Sequence, residues 1–251
     1  MKLIICDIDG TIIDSPAQKL PSERFVAAVQ AIRSTHYVTC ATGRVVSWAR
    51  PFLEAAHFTA PCIIAGGTAI VNPNTYELLY EHPLPPEQFD NIKEILKSYP
   101  DSKVLFNDFT EEEFLEGGWD LSRLLQADHC YVMEVSRVTY ERADELIAKF
   151  QQLPDVTAVK ISSPIPERTN VQLLHKQSTK EHAIAWVQQK LGVSKEDIIG
   201  IGDGHNDFHI FNAVGTKMAV NNAVPELKDK ADQVIGDVKD DAVAVYLESL
   251  G

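Results

Sequence analysis

The chain has 251 residues, 45% hydrophobic and 24% charged, which excludes a disordered or fibrous protein and suits one large domain or two modest ones. Lysine and arginine total 23 against 36 aspartate and glutamate residues, giving a formal net charge of -13. Because nucleic acid binding requires a basic surface that displaces counterions, this charge argues against a nucleic acid partner.

The cysteines and the apolar runs indicate the compartment. Cys6, Cys40, Cys62 and Cys130 are dispersed without paired spacing, which predicts buried, reduced thiols. The first apolar stretch is interrupted at Asp7 before it reaches the length of a secretory signal. No run approaches the roughly 18 apolar residues that a membrane span requires. We therefore expect a cytoplasmic protein that does not enter a membrane.

The first part of the chain alternates short apolar runs with helical patterns. Strands are predicted at Lys2–Cys6, Tyr37–Ala41 and Cys62–Ala65, with helices near Ser22–Ser34 and Val45–Ala56. A hairpin follows, with strands at Ala69–Asn72 and Tyr76–Tyr80. Continuous hydrophobic strands separated by crossover helices are typical of a doubly wound α/β fold with a mainly parallel sheet.

A second series of elements follows three closely spaced prolines, Pro83, Pro85 and Pro86, which favour an extended connector. Helices are predicted near Pro86–Ser98 and Tyr140–Gln152, and further segments at Lys103–Asn107, Leu121–Gln126, Tyr131–Ser136, Thr157–Ser162 and Asn170–Leu174. The acidic run Asp108–Glu116 is interpreted as a solvated face or a helix start. We predict a separate α+β domain inserted at residues 83–176.

The α/β alternation then returns. Helices are predicted near Thr179–Leu191, Asn206–Asn212 and Asp241–Ser249, and strands at Asp197–Gly202 and Lys217–Val220. These later strands can complete the first sheet. The predicted organisation is therefore one core domain, formed by residues 1–82 and 177–251, that the inserted domain interrupts.

Two carboxylates, Asp7 and Asp9, follow the first predicted strand directly. Side chains alternate along a strand, so both project to the same side, and Gly10 lets the chain turn away. Two such charges about 4 Å apart repel by roughly 4 kcal/mol near a protein surface. The pair must therefore be hydrated, share a proton or hold a cation.

Three further loops carry reactive groups at positions where ligands bind in open α/β sheets, beyond the carboxyl ends of the strands. They are Thr42-Gly43-Arg44 after the second strand, Lys180 at the start of the later helix, and Asp203-Gly204-His205-Asn206-Asp207. A carboxylate can attack phosphorus while a second one transfers protons. Asp7 and Asp203 can supply the oxygen ligands that Mg²⁺ prefers. Together these groups suit phosphoryl transfer.

This ordered set resembles the haloacid dehalogenase superfamily of phosphatases, in particular its Cof-type branch with a large α+β cap inserted after the second motif. The strings Asp-x-Asp-Gly-Thr and Gly-Asp-Gly-x-Asn-Asp carry the resemblance, which spans nearly the whole chain. It implies that Asp7 is the nucleophile and a metal ligand. Asp9 would be the general acid and base, and its backbone carbonyl would also bind Mg²⁺.

The resemblance also implies roles for the remaining motif residues. The phosphoryl group and the substrate would be bound by Thr42, Gly43, Arg44 and Lys180. Asp203 would be the second carboxylate ligand of the metal, and supporting roles would belong to Thr11, Asn206 and Asp207. Direct metal ligation and simple helix capping remain open for Asp207, and Arg44 can contact phosphate or pair with a surface carboxylate. Lys176 is a rival of Lys180, which is favoured because it leads directly into an amphipathic helix.

One departure from the family pattern concerns the segment after the third strand. Ala65-Gly66-Gly67-Thr68 occupies the place where relatives commonly have Asn-Gly-Ala, so an asparagine contact toward the cap is absent. Arg168 and Asn170, near the end of the insert, are possible substrate contacts, although surface loop positions are the favoured interpretation.

The expected function is that of a magnesium-dependent phosphatase, which hydrolyses a small phosphorylated metabolite such as a sugar phosphate through an aspartyl-phosphate intermediate. Two alternatives stay open at this point: a phosphomutase that returns the phosphoryl group to a sugar phosphate, and a non-catalytic regulator that binds a phosphorylated metabolite. The expected oligomeric state is a monomer or a homodimer.

Overall fold

A computed structural model of the chain describes residues 1–15, 18, 20–99, 103–107, 112–115, 130–163 and 165–251. Within these ranges the strands are β1 Lys2–Cys6, β2 His36–Cys40, β3 Cys62–Ile64, β4 Ala69–Val71, β5 Leu78–Glu81, β6 Lys103–Asn107, β7 Glu112–Leu115, β8 Val132–Val138, β9 Val156–Ser162, β10 Thr169–His175, β11 Ile198–Gly202, β12 Thr216–Ala219 and β13 Gln233–Val234. The helices are α1 Glu23–Ile32, α2 Val46–Ala56, α3 Phe89–Leu96, α4 Tyr140–Phe150, α5 Lys180–Leu191, α6 Phe208–Ala213, α7 Pro225–Lys228 and α8 Ala242–Glu248.

A parallel sheet forms the centre of the core domain, with the strand order β13-β12-β11-β1-β2. The register pairs Cys6 with Cys40 on one side and with Ile201 on the other. Because parallel strands end at a common edge, the loops that begin at Asp7, Ala41 and Asp203 lie beside one another. This edge brings the predicted site residues together.

Helices cover both faces of the parallel sheet. Leu3 and Ile5 pack in one hydrophobic cluster, whereas Ile4 and Cys6 pack in another, because successive side chains of a strand point to opposite faces. All four side chains are fully buried. The predicted doubly wound α/β core is confirmed, and the four cysteines are buried and form no disulfide with one another.

The predicted hairpin extends the core beyond β2. β3 pairs with β4, and β4 pairs with β5, all antiparallel. A single parallel bridge between Ala41 and Ile63 places β3 alongside β2. The turn between β4 and β5 is held by Asn72, whose Oδ1 accepts hydrogen bonds from the backbone N–H groups of Asn74 and Thr75.

The inserted segment forms a separate antiparallel sheet with the order β7-β6-β8-β10-β9. Helices α3 and α4 supply residues to its own hydrophobic cluster, which lies within residues 84–173. Val171 and Leu173 of β10 point into this cluster. The other face of the sheet turns toward the core, since Val159 of β9 packs against the core cluster. This segment is the predicted α+β cap, and the boundaries at residues 82/83 and 176/177 remain our proposal.

Some elements differ from the sequence-based expectation. Residues Glu112–Leu115 form an edge strand paired with β6, so the helix start predicted in the acidic run is wrong there. Pairing with a neighbouring strand outweighs the low strand propensity of glutamate. The short elements β13 and α7 were not predicted, and the segment Leu121–Gln126 lies outside the described residues. Among the described helices, none combines the length and apolarity needed to traverse a lipid bilayer.

Candidate active site

A lysine bridges two carboxylates at the centre of the site. Lys180 Nζ donates to Asp7 Oδ1 and to Asp207 Oδ1, each at 2.7 Å. All three side chains are buried, with Asp7 5% exposed and Asp207 fully enclosed. The rival Lys176 is exposed, so the structure brings Lys180 to the aspartate motif. Paired charges of this kind are costly to separate because each would be left buried alone.

The start of α5 is positioned by a close backbone approach. Thr179 caps the helix, its hydroxyl accepting from the backbone N–H of His182, and Lys180 is the first helical residue. The preceding turn lies against Gly67, where an added Cβ would come within 2.4 Å of the Thr179 carbonyl carbon. Gly67 has a φ of 112°, which disfavours every residue with a side chain. Gly67 thus permits the close backbone approach that positions Lys180.

Asp207 holds the acidic loop in place. Its Oδ2 accepts hydrogen bonds from the backbone N–H groups of Asp203 and Gly204, both at 2.9 Å, while its Oδ1 accepts from Lys180. Gly202 leaves room for this arrangement, because a Cβ there would lie 2.5 Å from the Asp207 Cβ. Both carboxylate oxygens therefore already have donors. Asp207 occupies the N-cap position of α6, but its side chain makes no capping hydrogen bond to that helix and binds the preceding loop instead, so the predicted capping of the following helix is wrong.

Asp203 is oriented from the first motif. Thr11 Oγ1 donates to Asp203 Oδ1 at 2.8 Å. Gly10, with a φ of 86°, passes so close to this carboxylate that a Cβ would lie 2.3 Å from Asp203 Oδ2. The carbonyl of Gly10 accepts from Asn222 Nδ2 at 2.7 Å. Asn222 was missed by the sequence analysis, although its position shortly after a strand of the parallel sheet is a usable signal.

Asp9 belongs to a second network. Arg44 Nε and Nη2 donate to Asp9 Oδ2 and Oδ1 at 2.8 and 2.6 Å, and Nη2 also donates to the Gln18 carbonyl at 3.1 Å. The Arg44 side chain is buried, with 5% of its surface exposed, and Asp9 is partly buried. Thr42 Oγ1 accepts from the Arg44 backbone N–H at 3.1 Å. Arg44 thus pairs with the carboxylate of the first motif and not with a surface carboxylate.

The acidic groups fit a divalent metal ion. Carboxylate oxygens of Asp7, Asp203 and Asp207 all lie within 4.8 Å of one another. Asp7 and Asp203 each keep one oxygen with no hydrogen-bond donor among the described residues, whereas both oxygens of Asp207 are occupied. The side chain of Asp9 lies outside this cluster and pairs with Arg44, so any ligand from Asp9 must be its backbone carbonyl.

Burial and crowding disturb the titration of these carboxyls. Burial, opposed by Lys180 and reinforced by Asp207 and Asp9, raises the pKa of Asp7 to about 7. Burial also raises the pKa of Asp203, with Asp207 and Asp7 adding to the effect. Burial lowers the pKa of Lys180, but Asp207 and Asp7 outweigh burial and raise it overall. The site therefore concentrates more negative charge than one ammonium group offsets, and it is suited to a cation.

The sequence matches the haloacid dehalogenase-like hydrolase family over residues 4–116 and 121–247. The chain belongs to this family. Its predicted membership in the superfamily, in the Cof-type branch, is confirmed, and so is the prediction of an enzyme of the phosphatase class at the level of the family.

Relatives of this hydrolase cover nearly its full length. It is 28% identical to the protein YkrA of Bacillus subtilis, over 100% of this chain and 98% of YkrA. It is 23% identical to the pyridoxal phosphate phosphatase YbhA of Escherichia coli, over 99% of this chain and 98% of YbhA. The structure of BT1666 from Bacteroides thetaiotaomicron superposes with a TM-score of 0.83 at 17% identity, covering 100% of this chain and 95% of BT1666.

The remaining predicted residues of the hydrolase occupy the rim of the site. Gly43 is half-buried beside Thr42, and its backbone faces the cleft between core and cap, where a Cβ would lie 3.4 Å from Gln172 Nε2. Asn206 lies in the turn His205–Asp207 that contacts β9 of the cap, but its side chain has no hydrogen bond to another described residue. Asn170 is buried on β10, so its interpretation as a surface loop residue is wrong, whereas Arg168 is exposed.

Proposed function

We propose that this hydrolase is a magnesium-dependent phosphatase of small phosphorylated metabolites, and that it works through an aspartyl-phosphate on Asp7. The observation that carries the proposal is the state of Asp7. One oxygen is held by Lys180 at 2.7 Å, and the other has no donor among the described residues, at the common edge of the parallel sheet. A carboxylate oriented through one oxygen presents the other as a nucleophile.

The first half of the proposed reaction transfers the phosphoryl group to the enzyme. The free oxygen of Asp7 attacks phosphorus, the bond from phosphorus to the leaving oxygen breaks, and Asp9 donates a proton to that oxygen. Arg44 fixes Asp9 through both carboxylate oxygens, each of which keeps a second lone pair for the reacting group. Asp9 is close enough to Asp7 for its charge to raise the pKa of the Asp7 carboxyl, and in the proposed reaction the acid and the nucleophile flank one phosphorus atom.

The second half releases phosphate. Asp9, now ionised, accepts a proton from water while the water oxygen attacks phosphorus, and the bond to Asp7 breaks to restore the free carboxylate. The cap covers this site, with β9 against the turn His205–Asp207, and limits the access of bulk water. Water enters as a reactant only after the leaving group has departed.

Charge on the transferring group is offset by the core. Lys180, the Thr42 hydroxyl and the backbone N–H of Gly43 are the proposed phosphoryl ligands, because the N–H groups of Thr42 and Arg44 already donate to Ile63 and Thr42. Asp7, Asp203 and the backbone carbonyl of Asp9 would hold Mg²⁺, which neutralises negative charge and polarises a phosphoryl oxygen when it is bound. Thr11 and Asp207 keep Asp203 and its loop in the required orientation.

The relatives support this substrate class. YbhA is named a pyridoxal phosphate phosphatase, YcsE of Bacillus subtilis is a 5-amino-6-(5-phospho-D-ribitylamino)uracil phosphatase, and BT4131 is described as a sugar phosphatase. Each of these substrates is small and phosphorylated. The cap lies across the site in this chain, and a covered site admits small molecules more readily than phosphoproteins.

The test is phosphate release from p-nitrophenyl phosphate in the presence of Mg²⁺, with Asp7→Asn beside the exposed control Asp229→Asn. We expect Asp7→Asn to lower kcat by about three orders of magnitude or more, because the amide is not a nucleophile. The control should stay within about twofold, as expected for a surface substitution. Retained activity in Asp7→Asn would refute the nucleophile, and an isomeric sugar phosphate without free phosphate would favour a phosphomutase.

A further inference from the structure

A buried glutamine of the cap, Gln172, reaches into the active-site cleft. It lies on β10 between Val171 and Leu173, which point into the cap's own hydrophobic cluster, so its side chain points the opposite way, toward the core. Only 2% of its surface is exposed. The little surface that remains includes the polar atoms of the amide, which therefore face the open cleft.

Two glycines of the core make room for this amide. A Cβ added to Gly66 would lie 2.5 Å from Gln172 Oε1, and one added to Gly43 would lie 3.4 Å from Nε2. Gly66 is itself joined to the phosphoryl-binding loop, since its backbone N–H donates to the Thr42 carbonyl at 2.9 Å. The amide of Gln172 therefore lies directly over the loop proposed to hold the phosphoryl group.

The amide makes no hydrogen bond to any other residue that the structure describes. An amide that faces a cleft and has no partner among the described residues is available to a hydrogen-bond partner from outside the chain. Its place over Gly43 and Gly66 puts that partner next to the phosphoryl group, where the leaving group of a substrate must lie.

The neighbouring side chains narrow the chemistry of the partner. Glu134 of β8 is directly opposite Gln172 in the antiparallel register, and Ser136 Oγ donates to Glu134 Oε1 at 2.9 Å. These three residues share one face of the cap sheet. A hydroxyl and an amide both donate and accept hydrogen bonds, which suits a partner that carries hydroxyl groups.

We infer that Gln172 is a specificity-determining residue, which donates from Nε2 to a hydroxyl oxygen of the leaving group and accepts a hydroxyl hydrogen at Oε1. The cap thereby selects phosphate esters of sugars and polyols over esters of apolar alcohols. This inference rests on the proposed phosphatase function and deepens it by naming the substrate class.

The experiment compares two esters of equal chain length, glucitol 6-phosphate, whose carbons carry hydroxyls, and hexyl phosphate, which has none. We expect the wild-type enzyme to prefer glucitol 6-phosphate in kcat/KM. Gln172→Leu, which keeps the side-chain volume, should lower this preference about tenfold, mainly through KM, as expected for the loss of one hydrogen bond. Gln151→Leu, at the exposed end of α4, is the matched control and should keep the wild-type preference.

The outcomes separate the inference from the function on which it rests. Equal losses for both esters in Gln172→Leu would indicate a structural role and overturn the inference, and so would a wild-type enzyme with no preference between them. Absence of phosphate release from either ester and from p-nitrophenyl phosphate would overturn the proposed function itself. Thermal unfolding of the folded variants checks that Gln172→Leu keeps the wild-type structure.

Discussion

The core and the cap meet at the same cleft, but their polar groups are in opposite states. In the core, Lys180 and Arg44 are buried against carboxylates, and Asp207 has donors on both oxygens. In the cap, Gln172 is equally buried and has no hydrogen-bond partner among the described residues. A network in which each polar atom has a hydrogen-bond partner holds the reactive groups in one geometry. A polar group without a partner in the protein is available to form hydrogen bonds with a ligand.

This contrast suggests a division of labour between the two regions. The proposed bond-breaking groups lie in the core, where their positions must not change between substrates. The proposed recognition groups lie on the cap strands, where substitution changes the leaving group without disturbing the acidic site. Core variants should therefore act mainly on kcat and on stability, and cap variants mainly on KM.

The largest difference between the core and the cap is expected for the substitution Lys180→Met. Removal of the ammonium leaves Asp7 and Asp207 buried without their shared partner, so we expect the free energy of unfolding to fall by about 3–5 kcal/mol. The matched cap variant is Lys160→Met, which removes the more exposed ion pair with Asp144 and should cost less than about 1 kcal/mol. Urea denaturation of both variants measures the difference.

Activity gives a second measure of Lys180→Met. Loss of the proposed phosphoryl ligand should lower kcat for p-nitrophenyl phosphate about a thousandfold. Lys176→Met is the control, because Lys176 is exposed four residues earlier, and its kcat should stay close to that of the wild type. If both substitutions lowered kcat equally, the buried ion-pair network of the core would not explain the effect of Lys180→Met.

A smaller effect is expected when the metal site is weakened at one ligand. Asp203→Asn removes one of the two carboxylates proposed to hold Mg²⁺, so the concentration required for half-maximal activity should rise about 10- to 100-fold. A readout besides activity is the melting temperature, which Mg²⁺ should raise in the wild type by mass action and raise less in the variant at equal concentration. Dialysis against EDTA should abolish both the activity and the shift, and unchanged Mg²⁺ dependence would remove Asp203 from the metal site.

An effect of similar size, on stability alone, concerns the glycine that positions Lys180. Gly67→Ala adds a Cβ within 2.4 Å of the Thr179 backbone, and should destabilise the protein by about 2–3 kcal/mol through strain and displacement. Gly192→Ala is the matched control: its φ of 65° is also positive, but nothing lies within 4 Å of the added Cβ. It should cost only about 1 kcal/mol. Equal losses of stability in the two variants would show that glycine is required at position 67 because of its positive φ alone, and not because of the contact with the start of α5.

Much of the fold and of the acidic site could be predicted from the sequence, because both depend on a local pattern. Asp7 and Asp203 each follow a continuous apolar strand, and parallel strands bring their carboxyl ends to one edge. The alternation of buried strands and helices therefore predicted both the sheet and the cluster. Lys180 was preferred over Lys176 because it starts a helix, and the structure locates it beside Asp7.

What could not be predicted depends on how separate elements pack. The pairing of Arg44 with Asp9 was neither of the two alternatives left open, a contact with phosphate or a pairing with a surface carboxylate, because no local pattern tells which carboxylate a guanidinium meets. The alternation in β10 predicted a strand, but a polar face normally turns to solvent, and here Gln172 is buried by the core. Three consecutive glutamates, Glu111 to Glu113, lie just before and within β7, and their composition does not indicate a strand. The segment is a strand because it pairs with β6.

The central position of β1 has a consequence for how the protein is made. β1 lies between β2 and β11, and its register pairs Leu3 with Ile198. While the ribosome synthesises the residues between these two strands, one apolar edge of β1 stays without its partner, and such edges promote aggregation of nascent chains. The cap, whose strands pair only with one another, is translated in this interval and can fold first. Closure of the central sheet is therefore a late, long-range event, and we expect it to limit the rate of folding.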